Sequence, residues 1–140
     1  MARILVVEDE IDLNRIICRR LRDKGYEVVS AENGVDALEK IESTRFDMIL
    51  TDIMMPKMDG FELADSIRLT DSNIPIIFMT AKDDKASKIL GYSIGVDDYI
   101  VKPFDMDILI MKIAAILRRA KIENEKEIEL DLNLTDVYVI

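Results

Sequence analysis

The chain has 140 residues, enough for one domain with a substantial core and too few for two ordinary ones. Hydrophobic residues make up 49% and charged residues 34%, a balance that supports a packed interior and excludes a disordered chain. With 19 basic against 28 acidic residues the formal net charge is −9, so the chain as a whole should be repelled by nucleic acid and by anionic membrane surfaces. The acidic excess is compatible with binding a divalent cation, and equally with a solvated surface that keeps the protein soluble. Cys18 is the single cysteine, so no disulfide forms within the chain, which suits a reducing cytosol. Neither a leader pattern at Met1 nor an apolar run of about 18 residues occurs, so a cytoplasmic protein without a membrane span is expected.

From Arg3 to Val101 short β-branched runs alternate with longer stretches of helical period, the pattern of an α/β protein with a parallel sheet. The first strand is expected at Ile4-Leu5-Val6-Val7. A helix follows in which Leu13, Ile16, Ile17 and Leu21 recur at helical spacing, ending where Gly25 follows Lys24. Then come a strand at Glu27-Val28-Val29-Ser30, a helix from about Val35 to Glu42, and a strand at Met48-Ile49-Leu50-Thr51. A helix from about Gly60 to Leu69, a strand at Ile76-Ile77-Phe78-Met79 and a helix from about Lys85 to Ile94 continue the alternation. Tyr99-Ile100-Val101 and a helix from about Asp105 to Ala120 complete five repeats. Most of these strands show little polar alternation, as strands covered on both faces should. The expected fold is a flavodoxin-like, doubly wound five-stranded parallel sheet of order 2-1-3-4-5 with five helices.

After Ala120 the pattern changes. Residues 121–127 are charged without an apolar face and read as a linker, whereas Ile128 to Leu132 alternates strictly and Val137 to Ile140 is a second strand candidate. These two strands have no core of their own, so residues 128–140 read as the truncated start of a further domain.

The unusual polar residues fall at strand ends: Glu8 and Asp9 after the first strand, Asp52 after the third, Thr80 after the fourth and Lys102 after the fifth. In open α/β sheets ligands bind outside the carboxyl ends of the strands, where the strand order reverses. With order 2-1-3-4-5 these residues converge on one crevice. Clustered carboxylates repel one another unless a cation sits among them. Magnesium takes one or two carboxylates together with waters and a phosphate oxygen, which matches Asp9 and Asp52. Lys102 supplies positive charge for a phosphoryl group, Thr80 a hydrogen-bond donor, and an aspartate can be the nucleophile that forms an acyl phosphate. Taken singly, Asp9 is as readily a helix N-cap, Thr80 a cap for a helix beginning near Asp83, and Lys102 a surface lysine. Their joint placement favours phosphoryl transfer.

Val6-Val7-Glu8-Asp9-Glu10, Asp52-Ile53-Met54-Met55-Pro56-Lys57-Met58-Asp59-Gly60, Met79-Thr80-Ala81 and Val101-Lys102-Pro103-Phe104 resemble the motifs of bacterial response regulator receiver domains, in register over residues 1–120. The resemblance implies a phosphoacceptor rather than an ordinary enzyme, one that promotes its own phosphorylation and dephosphorylation. Asp52 would take a phosphoryl group from a sensor histidine kinase. Magnesium would be held by Asp9, Asp52 and the backbone carbonyl of Met54, with Glu8 acting through a water. It further implies a cis Lys102–Pro103 bond, and a switch in which Thr80 and Lys102 draw toward the phosphoryl oxygens while Tyr99 turns inward. Plain core packing is the alternative reading of Tyr99.

Gly95-Val96-Asp97-Asp98-Tyr99 and Leu117-Arg118-Arg119 resemble the OmpR/PhoB subgroup, whose active receivers dimerise through the fourth helix, fifth strand and fifth helix. Lys88, Asp97, Asp98 and Arg119 match its ion-pair pattern. Ile108 and Lys112 depart from it, standing where Glu and Arg are usual, so an apolar contact at Ile108 is expected to replace part of the ionic one. Residues 128–140 resemble the first strands of the subgroup's winged-helix output domain, so DNA would be bound only by residues outside this chain.

Two enzyme-like or carrier readings are disfavoured. A phosphatase of the haloacid dehalogenase type needs a second acid two residues after the nucleophile, where this chain has Met54. A flavodoxin needs a phosphate loop after the first strand, where Glu8 and Asp9 would repel a flavin phosphate. A phosphorylation-independent pseudo-receiver remains as the alternative.

Overall fold

The computed structural model describes residues 1–81 and 85–121, with side chains described outside 82–87. The linker from 122 and the strand candidates of 128–140 lie outside the described residues. The five strands are β1 (Arg3–Val7), β2 (Glu27–Ala31), β3 (Met48–Asp52), β4 (Ile76–Thr80) and β5 (Asp98–Val101). The helices are α1 (Ile11–Asp23), α2 (Gly34–Ser43), α3 (Gly60–Thr70), α4 (Lys85–Ile94) and α5 at residues 106–121. All strand pairings are parallel and the sheet order is β2-β1-β3-β4-β5, as expected from the sequence.

The near-continuous apolar runs of the strands follow from burial on both faces. Along β1, Ile4 and Val6 face a core completed by Ile17 and Leu21 of α1 and Leu109 and Ile113 of α5. Leu5 and Val7, pointing the other way, face Ala37 of α2 and Leu63, Ala64 and Ile67 of α3. Truncating one of these fully buried aliphatic side chains to alanine should cost about 2–5 kcal/mol.

Two details differ from the expectation. Asp52 and Thr80 are the last residues of β3 and β4 rather than the first residues after them. On α1 the buried positions are Asn14, Ile17, Cys18 and Leu21, an unbroken i, i+3, i+4, i+7 stripe, while Ile16 is exposed. The apolar spacing thus locates the helix, but its buried face is rotated to include a polar residue. α3 is fixed at its start by Asp59, which caps Glu62 N at 2.8 Å while the Glu62 side chain returns to Asp59 N.

Candidate functional site at the carboxyl ends of the strands

Strand order reverses between β1 and β3, since the chain leaves β1 toward β2 on one side and β3 lies on the other. The parallel register sets Val7 beside Thr51, Asp52 beside Met79, and Thr80 beside Val101. Glu8, Asp9, Asp52, Thr80 and Lys102 therefore reach one end of the sheet together. Lys102 continues that end, its backbone N–H donating to the Thr80 carbonyl at 2.7 Å. Its Nζ donates to Asp52 Oδ2 at 2.9 Å and to a carboxylate oxygen of Glu8. Carboxylate oxygens of Glu8, Asp9 and Asp52 lie within 4.8 Å of one another.

Burial separates the roles. Glu8 and Asp52 are 1% and 5% exposed, whereas Asp9 is exposed and opens the cluster to solvent. Burial pushes the Glu8 carboxyl up to about 7, against the opposing pull of Lys102 and of the Glu10 N–H. Burial would lower the Lys102 ammonium, but its bonds to Glu8 and Asp52 outweigh that and hold its pKa above the ordinary lysine value. One ammonium among three carboxylates leaves the pocket negative, so a further cation is favoured there. An all-oxygen donor set with a solvent-facing member suits magnesium.

The N-cap of α1 is Glu10, without a side-chain cap, so Asp9 is not held as an N-cap. Met54 follows two residues after Asp52 with its side chain exposed. The Lys102–Pro103 bond is cis, as the resemblance implies. Thr80 is buried beside the cluster, at the end of β4. Tyr99 is turned inward: its hydroxyl donates to the Lys88 carbonyl at 3.2 Å, and its ring meets Phe78 and Tyr92 edge-on at 5.5 and 5.1 Å.

Gly60 escaped a role in the sequence reading although its motif was singled out. A Cβ there would lie 2.4 Å from the Asp52 carbonyl oxygen and 2.8 Å from Ile53 Cα, so the start of α3 rests directly on the backbone of the acidic strand end. The positions of the dimer-face pattern are spread over α4, β5 and α5. Asp98 pairs with Lys112 at 2.8 Å, and Asp97 accepts from Ile76 N at 2.8 Å and lies 3.7 Å from Arg68. Ile108 and Arg119 are exposed on α5, and Lys88 is half-buried on α4. Arg68 was not anticipated; its guanidinium donates to the carbonyls of Asp71, Ile74 and Gly95.

The family model of the response regulator receiver domain matches residues 4–114. The chain belongs to the response regulator receiver family. Response regulator MprA of Mycobacterium ulcerans is 40% identical over 124 residues, covering 89% of this chain and 53% of that protein. The alkaline phosphatase synthesis transcriptional regulatory protein PhoP of Bacillus subtilis is 40% identical over 120 residues, covering 86% of this chain and 50% of that protein. The receiver thus spans about half the length of the curated relatives it matches. Among solved structures, a two-component response regulator from Clostridium difficile superposes with a TM-score of 0.82 at 33% identity, covering 85% of this chain and 98% of that one. Response regulator TrrA of Thermotoga maritima, solved with Mg2+ and BeF, superposes with a TM-score of 0.76 at 37% identity, covering 83% and 99%. In this receiver Glu8, Asp9 and Asp52 form a carboxylate group of the size that can hold a metal ion. No helix among the described residues is long and apolar enough to cross a membrane.

Proposed function

We propose that this receiver accepts a phosphoryl group on Asp52 from a sensor histidine kinase, with Mg2+ held by Asp9, Asp52 and the Met54 carbonyl and Glu8 acting through a water. The observation that carries the reading is Lys102 Nζ bridging Asp52 and Glu8 beside exposed Asp9. A carboxylate oxygen of Asp52 attacks phosphorus, the bond to the donor nitrogen breaks, and an acyl phosphate forms. Bound magnesium supplies charge neutralisation for the transferring oxygens. Lys102 adds a second cation, and the Thr80 hydroxyl a donor, where negative charge gathers.

The same reading extends to the switch and the output. Tyr99 and Thr80 form the element that phosphorylation biases, remodelling α4, β5 and α5. That face then joins a second copy of the protein, in the manner of the OmpR/PhoB subgroup. Residues 128–140 begin a winged-helix domain that binds DNA through residues outside this chain, and the whole protein regulates transcription in the cytoplasm. PhoP, described as a transcriptional regulatory protein, supports this.

Intact mass after incubation with Mg2+ and acetyl phosphate tests the chemistry. The wild type should gain a single phosphoryl adduct and Asp52→Asn none. An unmodified wild type would leave a phosphorylation-independent interaction module in its place.

A further inference from the structure

The polar residue on the buried face of α1 touches neither Lys102 nor Asp52, yet it reaches the acidic turn. Asn14 is 8% exposed, and its amide nitrogen donates to the Glu8 carbonyl at 3.0 Å and to the Ala31 carbonyl at 3.2 Å. Its Oδ1 accepts from Cys18 Sγ at 3.2 Å, which orients the amide so that both N–H groups face the strand ends. The ladder between β1 and β2 ends just there, with Glu8 N–H donating to the Ala31 carbonyl at 3.1 Å. Beyond that bond the Glu8 carbonyl is served by the Asn14 amide, so the side chain acts as one more rung.

We infer that Asn14 is a positioning residue for the cation site: by pinning the Glu8 carbonyl it sets the plane of the Glu8–Asp9 peptide and hence where the Asp9 carboxylate points. This rests on the magnesium reading above. A peptide unit is planar, so fixing its carbonyl oxygen also fixes the following nitrogen and Cα. The Glu8 side chain is held separately, by Lys102 and by the Glu10 N–H at 3.2 Å. Asp9, exposed, takes its orientation from the backbone that Asn14 holds. Groups that orient metal ligands in this way typically change metal affinity by about 10–100-fold when removed.

The test is calorimetric Mg2+ titration of the unphosphorylated chain, beside thermal unfolding without metal. Asn14→Leu keeps the branched outline and removes both donors; Asn14→Ser is the smaller, milder variant should the first fold poorly. Ile17→Ala, on the same buried stripe but without a polar contact, controls for lost stability. Both Asn14 variants should bind Mg2+ about ten-fold or more weakly, while Ile17→Ala lowers Tm and keeps the wild-type affinity. Unchanged Mg2+ affinity in the Asn14 variants, or an equal loss in Ile17→Ala, would overturn the positioning role while leaving the receiver mechanism standing. Absence of Mg2+ binding by the wild type would overturn the receiver mechanism and the positioning role together.

Discussion

Tyr99 places its hydroxyl where residue 91 would carry its side chain: a Cβ built on Gly91 falls 1.5 Å from the Tyr99 oxygen. The phenol is therefore admitted beneath α4 by the glycine, and its bond to the Lys88 carbonyl fastens it there. Two effects of Gly91→Ala oppose each other. Alanine is the better helix former by about 1 kcal/mol, while overfilling a packed contact costs about 1–3 kcal/mol or more. At 1.5 Å the ring must leave, so the steric effect wins. Urea unfolding should show Gly91→Ala destabilising in the wild type and costing at least about 1 kcal/mol less in a Tyr99→Ala background, where Phe78 Cε2 at 3.2 Å is the neighbour that remains. An equal cost in both backgrounds would mean that the slot does not hold the ring.

Gly60→Ala meets backbone rather than a movable side chain, with a Cβ 2.4 Å from the Asp52 carbonyl oxygen. Either α3 or the end of β3 must shift. We expect a loss of about 1–3 kcal/mol in stability, at the upper end because nothing flexible can yield. Phosphoryl uptake should slow by more than an order of magnitude, since displacement by about 1 Å at a reacting group can cost about 100-fold. Urea unfolding and the mass-adduct time course read the two effects.

The site was legible in the sequence because its chemistry sits at strand ends, and the strands announce themselves. Ile4 to Val7 and Ile76 to Met79 are apolar throughout because each is buried on both faces. Once order 2-1-3-4-5 is assumed, Glu8, Asp9, Asp52, Thr80 and Lys102 have to meet. Asn14, Arg68 and the slot at Gly91 were not legible. Asn14 interrupts an apolar stripe, and a polar residue there reads as a boundary of the buried face rather than as part of it. Its partners, the carbonyls of Glu8 and Ala31, carry no sequence signal. Arg68 likewise binds the carbonyls of Asp71, Ile74 and Gly95. The Gly91 contact joins a helix to a strand and depends on their separation, which residue types do not encode.

The raised Glu8 carboxyl links stability to pH. In the unfolded chain it titrates near 4.5 and in the folded protein near 7, so between those values the folded state holds a proton that the unfolded state has released. Stability from this group is fully present below about pH 4.5 and is lost as pH rises through about 7. Without Mg2+, urea unfolding from pH 5 to 8 should show a steeper fall for the wild type than for Glu8→Gln. Parallel curves would show that Glu8 titrates at its ordinary value.

Lys102→Met removes the cation that bridges Glu8 and Asp52. Leaving buried carboxylates unpaired should destabilise the apo protein by on the order of 3 kcal/mol at pH 8, and by less at pH 5, where Glu8 carries a proton. Magnesium affinity should rise, because the competing ammonium is gone, while the conformational response to beryllofluoride disappears. Calorimetry that showed weaker Mg2+ binding would mean that Lys102 supports the cation site rather than competing with it.

Among the described residues of the face formed by α4, β5 and α5, the two aspartates Asp97 and Asp98 are already engaged. Asp98 is already paired with Lys112 at 2.8 Å and Asp97 lies 3.7 Å from Arg68, so pairs made across a dimer would replace existing ones. The same face also exposes apolar side chains: Ile108 at 51% and Met111 at 70% on α5, Ile89 at 59% and Leu90 at 47% on α4. Burying an isoleucine is worth about 1.5–3 kcal/mol, counted twice in a symmetric dimer. Ile108→Ser should therefore weaken the beryllofluoride-induced dimer by roughly a hundred-fold or more. An apolar dimer should also hold its affinity when salt rises from about 50 to 500 mM, where exposed ion pairs are screened. Sedimentation equilibrium decides between the two: a dimer that dissociates in salt and ignores Ile108→Ser is ionic after all, and the exposed aliphatic side chains then serve another contact.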